Sequence, residues 1–201
     1  MHTITRNILF LTLSTIVVAS CSLQPPVPED HFYRLPAVKL NNTGNLSNNL
    51  FVKRFVTDGL HSERPLLFSE NSQPLSLKQY HYHFWVDAPP RLLQENLISA
   101  LRSSGIAKTV SNYNPAKRDG HTLSGKIRRF EQVARGKENK VIIELELRLD
   151  DKQGNILFVN DYQQEQSAGS ATPHDLVVAF GTGLTKIYSE LLKDWQMIKT
   201  K

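Results

Sequence analysis

Between Leu123 and Gln164 the chain carries three successive apolar–polar alternations separated only by short polar turns. Few folds accommodate that pattern. Val141, Ile143, Leu145, Leu147 and Leu149 take every second position, with Glu144, Glu146 and Arg148 between them. A period of two places the two sets on opposite faces of a strand. The run before it, Leu123–Val133, leads into the turn Gly136-Lys137-Glu138-Asn139, and its alternation breaks near Arg129-Phe130, as a bulge would break it. Asp150–Asn155 turns again into a third run, Ile156–Gln164. Strands joined by turns this short pair antiparallel, because a parallel partner needs a long crossover. A three-strand meander with one apolar face is therefore expected.

That face has to be covered. Leu176, Val177, Phe180, Leu184, Ile187, Tyr188, Leu191 and Trp195 fall on one stripe of a terminal helix. Thr172 suits its N-cap, Pro173 its first turn and Asp175 its positive end. Gly181 and Gly183 each weaken such a helix by about 1 kcal/mol relative to alanine, so close packing is expected at both. A second helix opens at Pro89-Pro90, buries Leu93, Leu97, Ala100 and Leu101 on one face, and stops at Gly105.

The first third holds shorter strand candidates. These are His31–Leu35, closed by Pro36; Leu50–Val56; Leu66–Phe68; and Tyr80–Val86. In the last, Tyr80, Tyr82, Phe84 and Val86 should face one way and His81, His83 and Trp85 the other. Asn41–Asn49 reads as a polar loop. The fold class expected is α+β: a mixed, largely antiparallel sheet with a C-terminal three-strand meander and two amphipathic helices packed on one face.

The N-terminal stretch sets a location. Residues 1–20 have a head with Arg6 and no acid, then an apolar segment too short for the roughly 20 residues that span a bilayer. They read as a signal peptide. Val18-Ala19-Ser20-Cys21 resembles the bacterial lipobox, whose cysteine is lipidated and becomes the first mature residue. Cys21 is the chain's only cysteine, so it has no disulfide partner. An ordinary signal peptide with a coincidental cysteine is the plainer alternative. The resemblance implies a diacylglyceryl thioether and an amide-linked acyl chain such as palmitate on Cys21, and two or more chains anchor stably. Ser22 stands where an aspartate would favour inner-membrane retention, which points to the outer membrane. Residues 21–30, with Pro25, Pro26 and Pro28, form a lipidated tether to a single domain, 31–201.

Charge narrows the partners. The chain has a net charge of +5; without residues 1–20 it keeps 23 basic against 19 acidic side chains. This excess suits anionic headgroups or an acidic protein, and export disfavours nucleic acid. Lys126, Arg128, Arg135 and Lys137 cluster on the first meander hairpin as a candidate partner-binding set, accompanied by Arg129 and Lys140; a solvated strand edge protected by lysines is the competing explanation. An interface is expected on loops and sheet edges away from the tether, this hairpin included.

Catalytic motifs are incomplete. Gly120–Lys126 follows the P-loop spacing, but Ile127 replaces the hydroxyl residue that holds magnesium, and a strand follows where a helix is needed. Gly181-Thr-Gly183 lacks the third glycine of a dinucleotide fingerprint and lies within a helix. His81-x-His83 has a spacing used by strand metal sites, with no clear third ligand, and reads as structural or surface histidine. No catalytic residue, metal site or cofactor is expected, and the chain does not read as an enzyme.

The ordered set of features resembles a known family. A lipobox cysteine is followed by Tyr33-Arg34-Leu35, a valine-containing strand from Val52 to Val56, and an aromatic strand with Trp85. Next come a helix ending Ala100-Leu101-Arg102-Ser103-Ser104-Gly105, a meander and a long terminal helix. This order is similar to the auxiliary lipoproteins of ABC-type lipid transport systems, the PqiC/YmbA-like family. Trp85-Val86-Asp87 departs from the "Trp-Ala-Glu/Asp" run usual there.

The resemblance implies a non-enzymatic outer-membrane, periplasm-facing component of a trans-envelope lipid transport pathway. Its implied partners are an MCE-domain periplasmic tunnel protein with its inner-membrane permease, the lipoprotein sorting machinery, and the outer membrane through the lipid anchor; a second copy of the chain is left open. The alternative kept is an outer-membrane lipoprotein that activates a peptidoglycan synthase or assists envelope assembly.

Overall fold

The computed structural model describes residues 27–41, 46–117, 119–135 and 138–198. The signal segment, Cys21, most of the tether and the Gly136-Lys137 turn lie outside them.

One long strand organises the sheet. β7 (Gly120–Arg135) pairs antiparallel along its whole length with β8 (Glu138–Asp150), which pairs in turn with β9 (Ile156–Ser167). This is the expected meander. Its register slips between Ile127 and Arg129, at the bulge that the broken alternation marks.

Along its other edge β7 receives three parallel strands in series. β2 (Leu46–Val52) lies opposite Gly120–Leu123, β3 (Val56–Thr57) opposite Lys126–Ile127, and β4 (Pro65–Glu70) opposite Gln132–Ala134. Beyond β4 come β5 (Gln73–Trp85), antiparallel, and β1 (His31–Tyr33), parallel to β5. Beyond β2 lies β6 (Ala107–Asn112), also parallel. The sheet is mixed, and its longest ladders are antiparallel.

Helices α1 (Pro89–Ser104) and α2 (Pro173–Ile198) cover one face. Leu93, Leu97 and Leu101 of α1 share one buried cluster with Leu184, Ile187, Tyr188 and Leu191 of α2 and the alternating apolar set of β8. Each such side chain contributes about 1.5–3 kcal/mol on full burial. At the centre, the Phe180 ring lies 4.3 Å from Phe130 and 5.5 Å from Trp85, centroid to centroid. The Asp175 amide donates to Thr172 Oγ1 at 3.3 Å, the N-cap bond read from the sequence. Both helical glycines sit at close approaches. A Cβ on Gly181 would stand 2.7 Å from Pro36 Cγ, and one on Gly183 would stand 2.8 Å from Ile143 Cδ1.

Several local expectations are corrected. The polar loop ends early, because β2 begins at Leu46. Asn49 is held in that strand by its own amide: Thr109 Oγ1 donates to Oδ1 and Nδ2 donates to Asp119, both at 2.8 Å. The strand expected over Leu50–Val56 is interrupted after Val52, where Phe55 turns its ring against Gly125. A Cβ on that glycine would meet the ring at 2.7 Å. β6 carries no strong sequence signal, since Lys108, Thr109 and Ser111 surround a single buried Val110.

β5 starts at Gln73, and its alternation fails at Tyr82, whose φ is +62°. The pairing with β4 jumps there from Leu67–Gln79 to Pro65–Phe84. Tyr80 consequently shares a face with His83, their rings 5.9 Å apart and edge-on, instead of opposing it. The Gly120–Lys126 segment lies within strand β7, so it forms no phosphate loop.

Candidate functional site

Strand directions define two ends. β1 runs parallel to β5, so the chain enters His31 from the side of the β4–β5 turn. β4 runs parallel to β7, which places the C-terminal end of β7 on that same side, and the Asn71 amide donates to Ala134 O at 2.9 Å. The end from which the chain enters β1, here the tether end, gathers the β4–β5 turn and the ends of β7 and β8, while β1 itself pairs with the last three residues of β5. At the far end lie the start of β7, the β8–β9 turn and the loop after β6.

Lys126 and Arg135, two of the four candidate cations, are not brought together. They are nine positions apart on β7, about 30 Å at about 3.3 Å per residue. Arg135 ends β7 at the tether end, not away from it as the sequence reading expected. Its side chain and the whole of Lys137 lie outside the described residues. Lys126 Nζ pairs with Asp58 at 3.1 Å, and Arg128 pairs with Glu146 and, at 3.4 Å, with Asp161.

Neighbouring cations follow suit on the sheet face opposite the helices. Arg129 meets Glu131 at 2.6 Å and Glu144 at 3.5 Å; Lys140 meets Glu165 at 3.8 Å. The acids that alternate with the core residues of β8 and β9 thus pair with Arg128, Arg129 and Lys140.

The far end differs. Lys53, Lys117 and Lys152 border a cleft of about 190 Å³ with Tyr113 and the β8–β9 turn. Lys53 Nζ stands 4.9 Å above the Tyr113 ring. The two acids lining the cleft are engaged. Asp150 pairs with Arg148 at 2.7 Å. Asp151 accepts from the Gln153 and Asn155 amides, both at 2.8 Å, and from Asn155 Nδ2. Hydrogen bonding from Asn155, the main cause, holds its carboxyl below the ordinary range. Three lysines without an ion pair among the described residues make this cleft a place for carboxylate or phosphate oxygens. The sequence gives no sign of it: positions 53, 117 and 152 share no spacing and meet only through the sheet.

His31, His61 and His83 make structural contacts. His83 stacks on His31 at 5.2 Å, and its Nδ1 lies 3.0 Å from Tyr33 Oη. Burial, helped by the His31 charge, lowers its pKa. On the opposite face, buried Glu131 is 3.2 Å from His61 Nε2 and accepts from Arg129 and from Ser69 Oγ. Burial alone would raise the Glu131 pKa; the bonds from His61 and Arg129 outweigh it and set it below the ordinary carboxylate value. Among the described residues no three ligating side chains converge as a metal site, and no helix is long and apolar enough to cross a membrane.

The architecture defines the class: a mixed sheet built on one long strand, with two helices on a single face. It is similar to the crystal structure of protein XCC0632 from Xanthomonas campestris, at a TM-score of 0.73 and 20% identity, covering 85% of this chain and 100% of that one. A second solved protein is similar at a TM-score of 0.66 and 14% identity, covering 83% and 99%. The family model described as "ABC-type transport auxiliary lipoprotein component" matches residues 66–191, and the chain belongs to that family. Protein bll6063 of Bradyrhizobium diazoefficiens is 28% identical over 108 residues, 54% of this chain. The match spans only 29% of that relative.

Proposed function

We propose that this protein is a non-enzymatic outer-membrane lipoprotein, anchored through Cys21, that receives an MCE-domain periplasmic tunnel protein served by an inner-membrane permease. Family membership carries the reading: an auxiliary lipoprotein of ABC-type transport positions and docks, and the incomplete catalytic motifs ask for nothing more. The separation of the two ends supports it. The chain enters β1 from the side of the β4–β5 turn, and the lysine cleft opens at the opposite end of β7, the side open to an arriving periplasmic partner. Both partners are held in place, so modest affinity suffices.

The docking chemistry is electrostatic: Lys53, Lys117 and Lys152 meet acidic side chains of the partner. Lys126 and Arg128, already paired within the sheet, flank this surface and do not form its centre.

The test has two parts. Cys21→Ala should abolish palmitate labelling and leave unprocessed precursor, while the wild type fractionates with outer membrane. Equal labelling of both forms overturns the anchor, and inner-membrane recovery overturns the sorting. In cells, photo-crosslinkers at positions 113 and 153, beside the lysines, should capture an MCE-domain protein, and adding Lys117→Glu with Lys152→Glu should abolish that capture. Recovery of a peptidoglycan synthase in its place would establish the activator function.

A further inference from the structure

The β4–β5 hairpin presents apolar surface where a folded domain has no use for it. Leu75 is 100% exposed, immediately beyond the Asn71-Ser72 turn, and Leu77, two positions on, leans to the same side of the strand. Among the described residues only β1 pairs with the outer edge of β5, and it does so at His83–Trp85, clear of this stretch. Lys78 is tied down nearby by Glu70 at 2.7 Å and lies over the Phe68 ring.

The covalent reach of the tether says what lies opposite. Ten residue steps separate Cys21 from His31, a span of at most about 36 Å. His31 sits beside His83, and the hairpin runs ten residues from His83 back to Gln73, about 33 Å at about 3.3 Å per residue. The hairpin points toward the side from which the tether arrives. Its tip therefore reaches as far toward the anchor's side as the tether can, at the end of the sheet it shares with the close of β7, where the Asn71 amide donates to Ala134 O.

We infer that the β4–β5 hairpin tip rests in the headgroup region of the same membrane that holds the Cys21 anchor, with Leu75 as its apolar contact. This rests on the proposed lipidation of Cys21. The contact gives the domain a second fixed point, so the lysine cleft faces away from the bilayer and does not swing on a single tether. Apolar side chains gain most at such a boundary when the backbone that carries them is already ordered.

Lipidation consumes the chain's only thiol, so Leu75→Cys in the full lipidated protein carries a single labelling site for an environment-sensitive fluorophore. Ser72→Cys samples the turn, and Gln153→Cys the far end. Reconstituted in phosphatidylethanolamine–phosphatidylglycerol vesicles, the label at 75 should show a blue-shifted, several-fold brighter emission that spin-labelled acyl chains quench. The label at 153 should show neither. Identical behaviour at 75 and 153 overturns the inference. A blue shift at 75 that lipid spin labels fail to quench also overturns it, since a second copy or another protein then covers the tip. Failure of the lipidated wild type to float with vesicles would instead bring down the anchor, and this inference with it.

Discussion

Gly181 of the terminal helix lies directly on Pro36, the residue that ends the first strand region: a Cβ on Gly181 would stand 2.7 Å from Pro36 Cγ. The proline ring cannot rotate away as a flexible side chain would. This contact joins the segment nearest the tether to the last helix in the chain. Gly181→Ala should gain about 1 kcal/mol in helix propensity but lose about 1–3 kcal/mol to overpacking. The expected net result is a lower melting temperature by circular dichroism; a rise would mean that the helix shifts freely.

Tyr188 is fully buried, and its hydroxyl has no hydrogen-bond partner among the described residues. Burial pushes its pKa well above the ordinary tyrosine value. Removing an unsatisfied buried hydroxyl while keeping the ring recovers up to about 1–3 kcal/mol of desolvation. Tyr188→Phe should therefore unfold at equal or higher denaturant concentration than the wild type. Destabilisation would reveal a partner for the hydroxyl.

Glu131 binds its proton less tightly in the folded protein than a free carboxyl of pKa 4.5. A depressed carboxyl stabilises the fold above its unfolded pKa, and that contribution is lost as pH falls below about 4.5. Glu131→Gln takes the charged partner from His61 and leaves Arg129 with Glu144 alone, at a cost of about 1–3 kcal/mol at pH 7. Melts from pH 7 to pH 3 should show the wild-type advantage shrinking toward zero at the acid end. A pH-independent gap would remove the charge from the explanation.

His83 shifts stability with pH in the same direction, in a higher window. Its pKa lies below the ordinary 6.5, so the unfolded chain takes up a proton that the folded one resists. The stability it supports is present above pH 6.5 and declines as pH falls through that value. The seam between β1 and β5 should loosen first, since a charge on His83 is held in a partly desolvated place against the stacked His31 ring. Hydrogen exchange at the Val86 amide, bonded to Tyr33 O at 2.9 Å, should accelerate between pH 7 and 5 after correction for intrinsic rates. His83→Phe should flatten that dependence.

What could be read without coordinates was whatever depends on neighbours along the chain. The alternation Val141–Leu149 specifies a strand with one buried face, the stripe Leu176–Trp195 specifies the helix that covers it, and Thr172 with Pro173 marks where that helix begins. Gly181 and Gly183 announce close contacts because they otherwise weaken a helix. Such signals have a period or an offset, and local sequence carries both.

The tertiary structure decided the rest, because it depends on pairs with no fixed separation. The parallel seating of β2, β3 and β4 along β7 sets which turns share an end, and no periodicity encodes that order. β6 reads as polar in isolation and becomes a strand only because β2 supplies its ladder. The basic hairpin looked free because Asp58, Glu146 and Asp161 approach it from other elements. Lys53, Lys117 and Lys152 looked unrelated until the sheet brought three distant loops around one cleft. Local patterning chose the elements; long-range strand pairing chose which side chains meet, since hydrogen-bonded register between distant segments is settled only when the whole core closes.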